Sequence, residues 1–128
     1  MRLLLDTHTL LWWTTDDKRL QVPERDAIAD EDSIVWVSAA SLWEISIKAS
    51  LGRLELDSVN LGRELERNNF LELPILWRHA ESAGSLPRHH DDPFDRMLIA
   101  QAQAEQLVLV SYDSVFRDYD VALAPQPN

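Results

Sequence analysis

The sequence predicts an α/β fold: a central, mainly parallel sheet of four to five strands, covered by helices on both faces, in one domain over residues 1–128. Two observations predict it. Short strand-forming runs alternate along the chain with longer helix-forming ones. The strand runs are also apolar almost throughout, the pattern of strands buried on both faces rather than one.

The elements follow in order. Arg2 to Leu5 is a short buried strand that ends at Asp6. Thr7 to Thr14 is helical, with Leu10, Leu11, Trp12 and Trp13 as its apolar surface, and Asp16, Asp17 and Lys18 break it. Pro23, suited to a first helical turn, opens a second helix running to Asp30. Ser33 to Val37, SIVWV, is β-branched and apolar and is expected to be a central strand. Ser38 then caps a helix over Ala39 to Leu51 that stops at Gly52. Asp57 or Ser58 starts another, ending near Asn69, and Phe70 to Pro74 is a brief strand. A helix passes through Trp77 to Ala83, and Gly84 to Arg88 is a loop.

The stretch RHHDDPFDRMLIAQAQA, Arg88 to Ala104, combines histidines and carboxylates with an apolar helix-forming run. Asp92 can N-cap this helix, Pro93 suits its first turn, and Asp95 lies three residues after the cap. A strand at Leu107 to Ser111, a turn at Tyr112 to Ser114, a helical turn and a weak strand near Val121 and Ala122 complete the order, before a frayed tail.

Composition narrows the chemistry. An apolar fraction of 45% is that of a water-soluble globular protein. No cysteine is present, which excludes disulfides, thiolate zinc sites and a cysteine nucleophile. The apolar runs fall far short of the ~20 residues a membrane helix needs, and Asp6 arrives too early for a signal-peptide core. A cytoplasmic protein without membrane contact is the expectation. Twelve basic against twenty-two acidic residues, a formal charge of −10, argue against a non-specific nucleic-acid binder unless cations neutralise the acids or the basic residues gather on one face.

In parallel sheets the site lies beyond the carboxyl ends of the strands. Asp6 directly follows the first strand, and Asp113 lies two residues past the one ending at Ser111. Glu44 sits in a helix among Leu42, Trp43, Ile45 and Ile47, where an ionised carboxylate needs a partner or an opening. Taken singly, Asp6 is also a loop cap, Asp113 a turn residue, Asp95 a capping residue, and Glu44 the partner of Lys48 four residues on. One sheet edge can instead gather all four, and acids so placed repel unless protonated or bound to cations. Oxygen ligands without cysteine select hard ions, Mg²⁺ or Mn²⁺, over zinc. Two such ions about 4 Å apart can clamp the attacking water and leaving oxygen of a phosphodiester, so no protein nucleophile is required.

The segments LLLDTHTLLWW, SAASLWEISIKASLG, LPRHHDDPFDRMLIAQA and LVSYD resemble, in the same order, the PIN-domain family, and more narrowly the VapC-type toxins of bacterial toxin–antitoxin modules. The resemblance spans nearly the whole chain; the LLLDTH start and the DPFDR-x-LIAQA block are its specific parts. It implies a PIN-like α/β/α sandwich and RNA hydrolysis at a Mg²⁺ or Mn²⁺ site lined by Asp6, Glu44, Asp95 and Asp113, of which Asp113 matches the most variable position. It also implies a homodimer inhibited by a cognate antitoxin that covers the acidic groove.

Around the acids, Thr7 and Ser38 are candidates to bond a water or a carboxylate of the site, or simply to cap. Lys48 orients Glu44 or meets a phosphate, and Arg96 contacts RNA or bridges to a nearby acid. His89 and His90 stand before the site helix, within reach of substrate, though loop histidines rarely have so specific a role. The five tryptophans are expected mostly in the core, with Trp12 or Trp13 turned outward. Two competing readings stay open: a PIN-like module that has lost catalysis and works through protein contacts, and a metal-dependent DNA nuclease or phosphatase using the same acids.

Overall fold

The computed structural model describes residues 1–54 and 60–127. Five strands, β1 (Arg2–Leu5), β2 (Ile34–Ser38), β3 (Leu71–Leu73), β4 (Val108–Val110) and β5 (Leu123–Ala124), form one sheet in the order β3-β2-β1-β4-β5. Every pairing is parallel. The helices are α1 (Thr7–Thr14), α2 (Val22–Ala29), α3 (Ala39–Ser50), α4 (Leu61–Arg67), α5 (Trp77–Ser85) and α6 (Pro93–Glu105), with a 3₁₀ helix at Ser114–Asp118. Among the described residues no helix is long and apolar enough to cross a membrane.

The predicted elements are present with modest shifts. The expected start of the fourth helix, at Asp57 or Ser58, lies outside the described residues. The fifth helix continues through Gly84 to Ser85, two residues into the expected loop, and the last strand forms at Leu123–Ala124 rather than at Val121–Ala122. Gly52 adopts a positive φ of 70° just past α3, the left-handed turn that a glycine stop supplies without a Cβ clash.

Alternation along the strands divides the core into two layers. Leu3, Leu5, Val35, Val37 and Val110 pack on one face with Leu10 of α1, Ile28 of α2, Ile45 of α3 and Leu65 of α4. Leu4 and Leu109 face the other way, onto Leu98, Ile99 and Ala102 of α6 and onto Phe116 and Tyr119. Leu3, Leu4 and Leu5 are all fully buried, which explains a strand without polar alternation. Removing any of these side chains to Ala would cost about 2–5 kcal/mol.

The tryptophans depart from expectation. None is fully buried, and Trp43 and Trp77 are 63% and 91% exposed. Trp13 packs on Phe70, and Trp12 lies against Tyr112 and His8. The central layers are filled by leucine, isoleucine and valine, so Trp12, Trp13 and, on β2, Trp36 pack half-buried at the edges of the core, while Trp43 and Trp77 face outward.

The chain builds outward from β1 to β2 and β3, then returns to lay β4 on the other side of β1. Strand order therefore reverses between β1 and β4. The segments leaving their carboxyl ends diverge there and leave the crevice in which parallel sheets place their ligands.

Candidate active site

Asp6 leaves β1 at this reversal and is buried. Its backbone N–H donates to the carbonyl of Val110 at 3.1 Å, which ties it to the end of β4. Its Oδ1 accepts the Thr9 N–H at 2.8 Å, capping α1. Ser111, the residue after β4, also bonds its side chain. Burial pushes the Asp6 carboxyl above the usual carboxylate range against the opposing pull of those hydrogen bonds.

The Ser111 hydroxyl in turn accepts the Asp113 N–H at 3.1 Å. Asp113 is exposed and caps the 3₁₀ helix, taking the Val115 N–H at 3.1 Å. Asp6 and Asp113 are thus linked through one serine.

Glu44 enters from α3, which begins where β2 ends; Ser38 caps it by accepting the Ala40 N–H at 3.0 Å. Glu44 is 8% exposed. Both its oxygens are held: Thr7 Oγ1 donates to Oε1 at 2.7 Å, and Lys48 Nζ donates to Oε2 at 3.0 Å. The pairing with Lys48 is present, but it is not a surface pair, since the carboxylate lies inside and only the lysine reaches water. Thr7 Oγ1 also lies 3.2 Å from Ser41 Oγ.

Asp95 stands in the first turn of α6. Capping falls to Asp92, whose Oδ1 accepts the N–H groups of Phe94 and Asp95 at 2.8 and 3.1 Å. The Asp95 carboxylate instead meets His90, with Nε2 2.7 Å from Oδ2. Burial, the largest cause, lifts Asp95 to about 6, with the charges of Asp92 and Glu44 adding to it. The field of Glu44 at Asp95 shows α3 and α6 bringing their acids into electrostatic reach. One ligand atom each from His90, Asp92 and Asp95 lies within 4.8 Å of the others.

Arg96 corrects an expectation. It is 8% exposed, and its guanidinium donates to the carbonyls of Ala83, Leu86, Pro87 and His90 at 2.9 to 3.2 Å. Among the described residues it is bridged to no acid. These carbonyls belong to the last turn of α5 and to the segment leading to α6, beyond the helical ladder, and a fork of several fixed donors answers all four.

Asp6 and Asp95 therefore have no Lys or Arg partner among the described residues, and both are raised by burial. Such carboxylates are held protonated or are matched by an external cation, and carboxylate oxygens without cysteine fit a hard divalent ion. Trp43, next to Glu44, meets Phe94, next to Asp95, edge to face at 5.5 Å, forming an aromatic rim beside the acids.

Sequence reasoning underrated His90 and passed over Ser111 and Ser41. Nothing in HHDD says which histidine turns inward: His89 is exposed and packs edge-on against Tyr119, whereas His90 reaches Asp95. Ser111 carried one weak signal, a hydroxyl at a strand end two residues before a candidate acid.

The sequence matches the PIN domain family over residues 3–122. The chain belongs to that family. PIN domains are in general nucleases that use divalent metal ions, which is the ion class these acids suit. No match is found among curated proteins. The structure of VapBC2 from Rickettsia felis, bound to a DNA fragment from its promoter, contains a chain of similar fold: TM-score 0.70, 13% identity, 96% of this PIN domain and 97% of that chain covered. A chain of VapBC-1 from nontypeable Haemophilus influenzae gives 0.64 at 17% identity, with 96% of each covered. One of FitAcB from Neisseria gonorrhoeae gives 0.58 at 18%, with 94% and 95% covered. At these identities the likeness is one of fold.

Proposed function

We propose that this PIN domain is a Mg²⁺- or Mn²⁺-dependent endoribonuclease, the toxin of a toxin–antitoxin pair, acting in the cytoplasm on RNA phosphodiester bonds. The observation that carries the reading is two acids raised by burial and without a Lys or Arg partner among the described residues: Asp6, buried at the strand-order reversal, and Asp95, half-buried in the first turn of α6. Asp6 and Asp95 are the principal ion ligands, Glu44 completes the set, and Asp113 at the exposed rim holds a second ion or its water.

These acids would hold a divalent ion, which when bound would supply neutralisation of the scissile phosphate and a water activated near neutral pH. The chain's own residues prepare that event. Thr7 and Lys48 fix Glu44, the α1 turn and Ser111 fix Asp6, and no side chain is needed as nucleophile. The net charge of −10 makes phosphate approach depend on the bound cation.

The reading of a cognate antitoxin as partner draws its support from the solved structures of similar fold, which are VapBC and FitAB assemblies; the homodimer rests on the family resemblance of the sequence. The deciding experiment is cleavage of end-labelled total bacterial RNA with Mg²⁺ or Mn²⁺, with EDTA, and with Asp6→Asn. Discrete fragments that vanish in the last two conditions are expected. Fragments that persist in Asp6→Asn would overturn the assignment of the site.

A further inference from the structure

The Asp95 carboxylate has no local duty in the helix it begins. Asp92 supplies the cap, and the adjacent Arg96 turns its guanidinium away to four backbone carbonyls. Among the described residues the one side chain bonded to Asp95 is His90, with Nε2 2.7 Å from Oδ2, inside the range of a charge-assisted hydrogen bond. His90 is not a loosely held loop residue. Its carbonyl accepts from Arg96 at 3.2 Å and lies 3.4 Å from the Tyr119 hydroxyl, which also donates to Pro87 at 3.0 Å. A guanidinium from α6 and a phenol from beyond the 3₁₀ helix thus grip the turn that presents the imidazole.

We propose that His90 is a positioning residue of the ion site: its Nε2–H donates to Asp95 Oδ2 and so presents Oδ1 to the cation. The inference rests on the reading of Asp95 as an ion ligand. Without it, a carboxylate on a helix turn can rotate and offer either oxygen; a fixed donor on one oxygen removes that freedom before the ion arrives. Losing such a partner of a ligand typically costs about 10–100-fold in metal affinity or activity.

The test is Mn²⁺ binding by the full chain at pH 8, followed by electron paramagnetic resonance, for the parent, His90→Ala and His90→Gln. The alanine variant is expected to bind about 10–100-fold more weakly with an unchanged circular dichroism spectrum. Glutamine, whose amide N–H can stand in for Nε2–H, should recover most of the loss. Pulsed spectra of the parent should show no directly bound imidazole nitrogen. Equal affinity in parent and alanine variant, or equal losses in both variants, would overturn the donor role. So would an imidazole coupling in the parent, which would make His90 a ligand. Should His90→Ala fail to fold, the comparison of parent with His90→Gln and the imidazole coupling still decide. A parent that takes up no Mn²⁺ at all defeats the ion site itself; a parent that binds beside an unaffected alanine variant defeats only the role of His90.

Discussion

Thr7 Oγ1 donates to Glu44 Oε1 across 2.7 Å, joining the first residue of α1 to the middle of α3. With Lys48 on the other oxygen, it fixes an acid that local sequence alone would leave as an ordinary Glu–Lys helix pair. Thr7→Val keeps the shape and removes the donor. We expect a loss of about 2 kcal/mol in chemical denaturation, the range of a hydrogen bond to a charged group. Mn²⁺ affinity should fall as well, whereas Thr7→Ser should restore both.

Asp6→Asn should separate stability from activity. Asparagine caps a helix about as well as aspartate, and the substitution removes a carboxylate whose charged form burial disfavours. The metal-free variant is therefore expected to melt at or above the parent's temperature at neutral pH, while RNA cleavage drops by about a hundredfold or more. Adding Mn²⁺ should raise the melting temperature of the parent, because binding to the folded state alone stabilises it, and should leave the variant's nearly unchanged.

The pH response follows from Asp95, lifted from 3.8 to about 6. Its folded form holds the proton more tightly than the unfolded chain does. The associated stability is fully present below about 4 and is lost as pH rises through about 6, on the order of 2–3 kcal/mol. The metal-free protein should lose stability across this window, and Asp95→Asn should flatten that part of the curve. Ion binding runs the opposite way, since the ligand must be deprotonated. Mn²⁺ affinity measured by calorimetry should decline steeply below about pH 6.

Arg96 should behave as a structural clamp. Arg96→Ala leaves the Ala83 and Leu86 carbonyls without their donor and those of Pro87 and His90 with the Tyr119 hydroxyl alone, and is expected to cost about 3 kcal/mol or more in chemical denaturation. Arg96→Lys keeps the charge but lacks the planar fork, and should recover little of it. If Arg96 met RNA instead, lysine would restore most of the function and both variants would shift the salt dependence of RNA binding while leaving stability intact.

Much of this was legible in the residues. The apolar runs give the strands and their double burial, because alternation is lost when both faces are covered, and caps and stops such as Ser38, Gly52 and Asp92 mark helix ends through local chemistry. Asp6 and Asp113 could be placed near one edge because parallel strands send their carboxyl ends the same way. Helix capping and site membership looked like rival readings of Asp6; in the fold it caps α1 with Oδ1 while standing in the crevice. Tertiary structure alone decided the rest. The inward turn of His90, the bridge made by Ser111, the burial of Glu44 and the withdrawal of Arg96 depend on partners up to 105 residues apart in sequence, or on which way a loop side chain faces. Those choices are set by packing and by the need to satisfy buried polar groups, which short-range pattern does not encode.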